Sequence, residues 1–139
     1  MKEKLPRGVR NCNPGNIRIS SVRYEGEVIP SQDSSFKQFR TMAYGYRAVF
    51  VLLDSYWRRG VRTLRAVFER YAPPTENHTD IYISFVSRRS GLDPSDEIDP
   101  CDRAMMTAVV SALSHYENGI APDMSEVDEG WRLYMSCRR

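Results

Sequence analysis

Beyond residue 44, apolar residues recur three and four positions apart, whereas the first forty residues carry few helix signals. From Tyr44 to Arg59, the members Tyr46, Val49, Phe50, Leu53 and Trp57 fall on one helical face, and Gly60 ends the helix. Thr63 is the cap expected for a second helix with Leu64, Val67, Phe68 and Tyr71 inward, stopped by Pro73 and Pro74. Thr79 can cap a third helix, with Tyr82, Phe85 and Val86 inward and Gly91 closing it. An acidic loop from Asp93 to Asp102 leads into a fourth helix, from about Asp102 to Tyr116. Its stripe is Met105, Ala108, Val109, Ala112, Leu113 and Tyr116, and Asn118-Gly119 terminates it. Ser125 with Asp128 resembles a capping box for a last short helix carrying Val127, Trp131 and Tyr134. Upstream, Asn11 to Asn16 is dense in turn formers, and Ile17–Ile19 and Val22–Tyr24 alternate as a small hairpin would. The expected class is α+β, mainly α: one domain over 1–139, β-rich at 10–40 and helical at 44–137.

Composition narrows the functions available. The 139 residues are 41% hydrophobic and 27% charged, as in a folded globular chain. Twenty Lys and Arg against 18 Asp and Glu leave +2, which excludes a polycation. The longest apolar run, Ala48 to Leu53, is too short for a bilayer, so no membrane partner is expected. The N-terminus lacks the apolar core of a signal peptide, which implies cytoplasmic synthesis and export by other means. Cys12, Cys101 and Cys137 have no zinc spacing, and His78 and His115 stand far apart; no metal or organic cofactor is expected.

Five segments can carry chemistry. Glu117 ends the strongly apolar fourth helix, near the negative end of the helix dipole and beside low-dielectric packing. Both disfavour ionisation, and a carboxylic acid kept protonated near neutral pH is what protonation of a glycosidic oxygen requires. Asn11, Asn13 and Asn16, held around Pro14-Gly15, present amides suited to neutral polar ligands such as sugars, or satisfy their own turn. Glu76 and Asn77, with Tyr82 beyond them, lie where the Pro73-Pro74 break meets the third helix; they are capping groups or a cleft wall. Glu25 and Glu27 alternate in the expected hairpin, so only one can face a cleft. Paired carboxyls about 5–10 Å apart are the usual requirement for glycoside hydrolysis. Arg58, Arg59, Arg62, Arg65 and Arg70 form a basic run that is a solvated face or a phosphate-contacting edge; the acidic loop argues against nucleic acid.

Together these stretches resemble a family of small phage and prophage proteins described as structural. The likeness covers Arg7 to Arg18 (Arg-Gly-x-Arg-Asn-x-Asn-Pro-Gly-Asn-Ile-Arg), Phe36, Phe39, Gly45, Arg47 and Ala48, Tyr71 to Tyr82, and Glu117 to Gly119. More distantly, the chain is similar to lysozyme-like glucosaminidases and lytic transglycosylases with the order of segments rotated. Their helix ending in a catalytic Glu comes first, whereas here it comes last, so that resemblance implies a circularly permuted lysozyme-like domain. It also departs from their pattern in placing Asn118 where Ser is usual.

The resemblance implies a peptidoglycan glycosidase of muramidase, glucosaminidase or lytic transglycosylase type. Its catalytic residues would be Glu117 with Glu25 or Glu76, and Asn11, Asn13, Asn16, Asn77 and Tyr82 would position the bacterial cell-wall glycan. Such an enzyme acts on the wall after release or from a phage particle. The rival expectation is a non-catalytic phage or mobile-element protein that binds glycan or protein.

Overall fold

The computed structural model describes residues 5–138, and its order is α1 (Arg7–Arg10), β1 (Glu27–Val28), β2 (Gln38–Phe39), α2 (Met42–Arg58), α3 (Leu64–Tyr71), α4 (Thr79–Ser90), α5 (Arg103–Asn118) and α6 (Met124–Cys137). The class is α+β, mainly α, with a small antiparallel pair near the N-terminus. Among the described residues, no helix is long and apolar enough to cross a membrane.

The helices begin and end for local reasons. Thr41, Thr63 and Asp102 each accept a hydrogen bond from a backbone N–H of the first turn of α2, α3 and α5. Gly91 and Gly119 close α4 and α5 at φ of 77° and 71°, a left-handed geometry that a side chain disfavours. Two caps differ from expectation. His78 precedes α4 without a side-chain bond, because the Thr79 hydroxyl turns back to the Ala72 carbonyl. Asp123, not Ser125, caps α6, since its carboxylate already accepts from the Ser125 N–H at 2.9 Å.

A single buried cluster joins all the long helices. α2 contributes Tyr46, Ala48, Val49, Phe50 and Leu53, and α5 contributes Met106, Val109, Val110, Ala112 and Leu113. Phe50 stacks on Tyr134 of α6 at 5.6 Å and meets Trp131 edge-on at 5.3 Å. The buried face of α5 is wider than its expected stripe: Met106 and Val110 are buried, while Met105, Ala108 and Tyr116 are half-buried. Trp57 is also only half-buried, with the Arg62 guanidinium 4.3 Å over its ring.

The β-rich part departs most from the sequence pattern. Ile17–Ile19 and Val22–Tyr24 do not pair. The ladder runs instead Glu27 to Phe39 and Val28 to Gln38, with a single bridge from Arg18 to Phe36. Ile17 is buried in the core and Tyr24 packs against Phe39, while Ile19 and Val22 are exposed, so each segment supplies one inward anchor rather than a paired strand. Lys37 replaces the missing strand as organiser. It is fully buried, and its ammonium donates to the Val22 carbonyl at 2.8 Å, the Ser20 carbonyl at 3.3 Å and the Glu27 carboxylate at 2.9 Å.

The N-terminal turn docks on the helices through glycines that allow backbone approach. A Cβ on Gly45 of α2 would overlap the Cys12 carbonyl and the Pro14 ring. Gly45→Ala is therefore expected to destabilise by roughly 1–2 kcal/mol net, overpacking outweighing the gain in helix propensity. Urea denaturation checks this; a variant as stable as the native chain contradicts the docking described.

Candidate functional site

The N-terminal turn and the end of α5, about a hundred positions apart in the chain, meet. Asn118 donates to the Pro14 carbonyl at 3.0 Å and to the Ser114 carbonyl at 2.9 Å, tying the turn to the last turn of α5. Asn16 then donates from Nδ2 to Glu117 Oε1 at 2.8 Å. From α4, the Tyr82 hydroxyl donates to Glu117 Oε2 at 2.8 Å. Tyr82 is buried behind the acid and stacks on Tyr116 with ring centroids 4.0 Å apart. Glu117 is thus gripped on both oxygens, while its side chain lines an open groove of about 370 Å³. The other walls include Asn16, Arg18, Phe36, Tyr56, Arg70, Tyr71, Pro73, Glu76 and Asn77.

The electrostatics favour the neutral acid. Burial raises the Glu117 pKa above the usual carboxylate value, and the hydrogen bonds from Asn16 and Tyr82 offset only part of that rise. Tyr71 and Tyr82 are both held well above the ordinary phenol range, chiefly by burial and then by the nearby Glu117 charge. Asn16 carries a local cost: its φ is +50°, and its buried Oδ1 has no hydrogen-bond partner. Its side chain is oriented for Glu117 rather than for its own satisfaction.

A raised folded-state pKa means that the folded chain holds the Glu117 proton more tightly than the unfolded chain. Its contribution to stability is present below the unfolded carboxylate pKa of about 4.3 and is lost as pH rises through the higher folded value. The melting temperature of the native chain relative to Glu117→Gln should therefore fall between pH 4 and pH 7. Paired thermal melts check this; a difference that stays constant or grows contradicts it.

The other expected site residues divide sharply. Asn16, Asn77 and Glu76 line the groove with Glu117. Asn11 does not: it donates to Asp33 at 3.2 Å. Asn13 is completely buried. Its amide donates to the Ile17 and Lys37 carbonyls, and its Oδ1 accepts from the Ile17 N–H, so it braces the turn. Glu25 also lies outside the groove. The strand starts at Glu27, leaving Glu25 in a turn against α2 and α6, where Arg47 draws it to 3.6 Å. Glu27 is committed to Lys37.

The basic run does not form one edge. Arg58 pairs with Asp54, Arg65 with Asp80, Arg62 covers Trp57, and Arg70 turns to the groove. In a second depression, lined by Arg47, Asp54, Arg58 and Arg138, each cation is engaged by a carboxylate: Asp54 is shared by Arg58 and Arg138, and Arg47 reaches Glu25.

Sequence reasoning missed Tyr71, Arg18 and Arg70 as groove residues. Tyr71 fits the core stripe of α3, yet its hydroxyl donates to the Gly15 carbonyl and anchors the turn beside Glu117. Its position next to the Ala72-Pro73 break was the available signal.

Comparison with known proteins fixes the kinship. The chain is 33% identical over 135 residues to Protein P5 of Pseudoalteromonas phage PM2, covering 92% of this chain and 82% of that protein. The chain belongs to the family of that phage protein. No protein-family model matches it. The aligned length takes in the bulk of the chain, so this P5-type kinship is not a match to one short motif.

Proposed function

We propose that this phage-family protein cleaves the glycan strands of the bacterial cell wall, with Glu117 as general acid. The observation that supports this most is the half-buried, groove-lining Glu117 carboxyl, held by Asn16 and Tyr82 with its pKa raised by burial. In the reaction, the Glu117 proton passes to the glycosidic oxygen as the bond to the anomeric carbon breaks. Hydrolysis or transglycosylation completes the step. Glu76, which faces the same groove, is the candidate second carboxylate; the sugar's own acetamido group is the alternative. Asn16 and Asn77 position the sugar, and Tyr82 positions Glu117 rather than the ligand. On this reading the arrangement is a permuted lysozyme-like one, supported by the contact of the N-terminal turn with the distant end of α5.

A non-catalytic role in a phage particle is the second reading. It draws directly on the P5 kinship, and on both Glu117 oxygens already having donors within the fold, as in a structural brace. A cell-wall zymogram separates the two. Clearing by the native chain and none by folded Glu117→Gln supports the enzyme with Glu117 as its acid; full clearing by Glu117→Gln overturns the role of Glu117, and no clearing by the native chain supports the second reading.

A further inference from the structure

The groove carries two cations for which the proposed acid chemistry has no use. Arg18 and Arg70 both line it, from the N-terminal turn and from the last turn of α3. Among the described residues neither forms an ion pair, a condition shared with several surface arginines such as Arg23 and Arg59; what sets these two apart is that both line the groove beside Glu117. Arg18 is nevertheless held in place, its guanidinium 5.1 Å from the centroid of Phe36, a second groove residue. Arg70 shares the groove wall with Tyr56 and Tyr71. A planar guanidinium resting on a ring and free along its edge donors is suited to a carboxylate. Glu76 is the opposing charge in the groove and lies on the Asn77 side.

We infer that Arg18 and Arg70 form an anion-recognition subsite, so that the groove selects carboxylate-bearing amino-sugar strands over neutral ones. This deepens the glycan reading given above and rests on it for the class of polymer. Wall glycan stripped of its stem peptides is such a strand, because every second sugar then bears a free lactyl carboxylate, which in peptide-bearing strands is tied up as an amide; a chitin-type oligomer has none. A nucleic acid is the less favoured ligand, since Arg58 and Arg65 of the run are ion-paired and Arg62 covers Trp57.

The test is calorimetric titration of full-length Glu117→Gln, which suppresses turnover, with three probes. These are a tetrasaccharide of alternating N-acetylglucosamine and N-acetylmuramic acid, the same tetrasaccharide with its carboxyls reduced to alcohols, and a short DNA duplex. The acidic tetrasaccharide should bind about tenfold more tightly than the reduced one. Adding Arg18→Gln or Arg70→Gln should each remove about threefold of the acidic affinity, the scale of a solvent-exposed charge contact, with little effect on the reduced probe. Equal binding of both tetrasaccharides, binding of neither, or tighter binding of the duplex overturns the inference. Circular dichroism of each variant shows that lost affinity is not lost fold. Cleavage by the native chain with no discrimination in binding would sink this subsite alone; discrimination without cleavage would sink the enzyme and keep the subsite.

Discussion

Replacing Lys37 with methionine is expected to destabilise the protein by roughly 3–5 kcal/mol, the usual effect of breaking a buried ion pair from one side. Methionine matches the length of the stem but leaves Glu27 as an unpaired carboxylate only 7% exposed. It also strips the donor from the Ser20 and Val22 carbonyls. Those two residues are solvent-exposed, so water can replace the donor there; it cannot readily do so at Glu27. The Glu27 charge therefore dominates the loss, and Lys37→Met/Glu27→Gln should recover most of it. Against a total of about 5–15 kcal/mol, the single change removes a large share of the stability. Urea midpoints of the two singles and the double measure this. A Lys37→Met loss under about 1 kcal/mol, or a double no better than the single, would mean that the clasp does not organise the β-rich part.

The helical portion was legible because its signals are local. Caps such as Thr63 and Asp102, stops such as Gly91 and Gly119, and stripes of period 3.6 act within a few residues of themselves. The strands were not legible. Ile17–Ile19 and Val22–Tyr24 alternate, but only Ile17 and Tyr24 pack inward, and the real pairing depends on Lys37 reaching across fifteen and seventeen residues to bind carbonyls. Nothing in the local pattern distinguishes a buried lysine from a surface one. The site was half legible for the same reason. The apolar fourth helix marked Glu117 as an acid in a low-dielectric setting, and the Asn-Pro-Gly-Asn turn marked a rigid polar loop. Which asparagine faces the groove was settled by the fold: Asn13 is consumed by the turn itself, and Asn16, two positions beyond Pro14, is swung outward at positive φ. Glu25 left the site once the strand register shifted, because Arg47 supplies its counter-charge.

Glu117→Gln is expected to lower glycan cleavage by about 10²–10⁴-fold, the range attributed to a positioned proton donor. The amide keeps the shape of the side chain and can still accept from Asn16 or Tyr82, so the groove persists while the transferable proton is gone. Glu117→Asp keeps the proton but withdraws it by one methylene from a groove whose walls do not follow; it should retain a small fraction of the activity. Glu76→Gln should cost less than Glu117→Gln if the sugar's own acetamido group serves in place of the second carboxylate, and about as much if it does not.

The decisive measurement is the release of soluble glycan from purified cell walls by the native chain and by Glu117→Gln at equal concentrations of folded protein, across pH 4–8. The account predicts turnover by the native chain, declining at the alkaline end as the Glu117 proton is lost, and at most about one-hundredth of that rate for the amide variant. Equal release by the two proteins, or no release by the native chain at any pH, would contradict it.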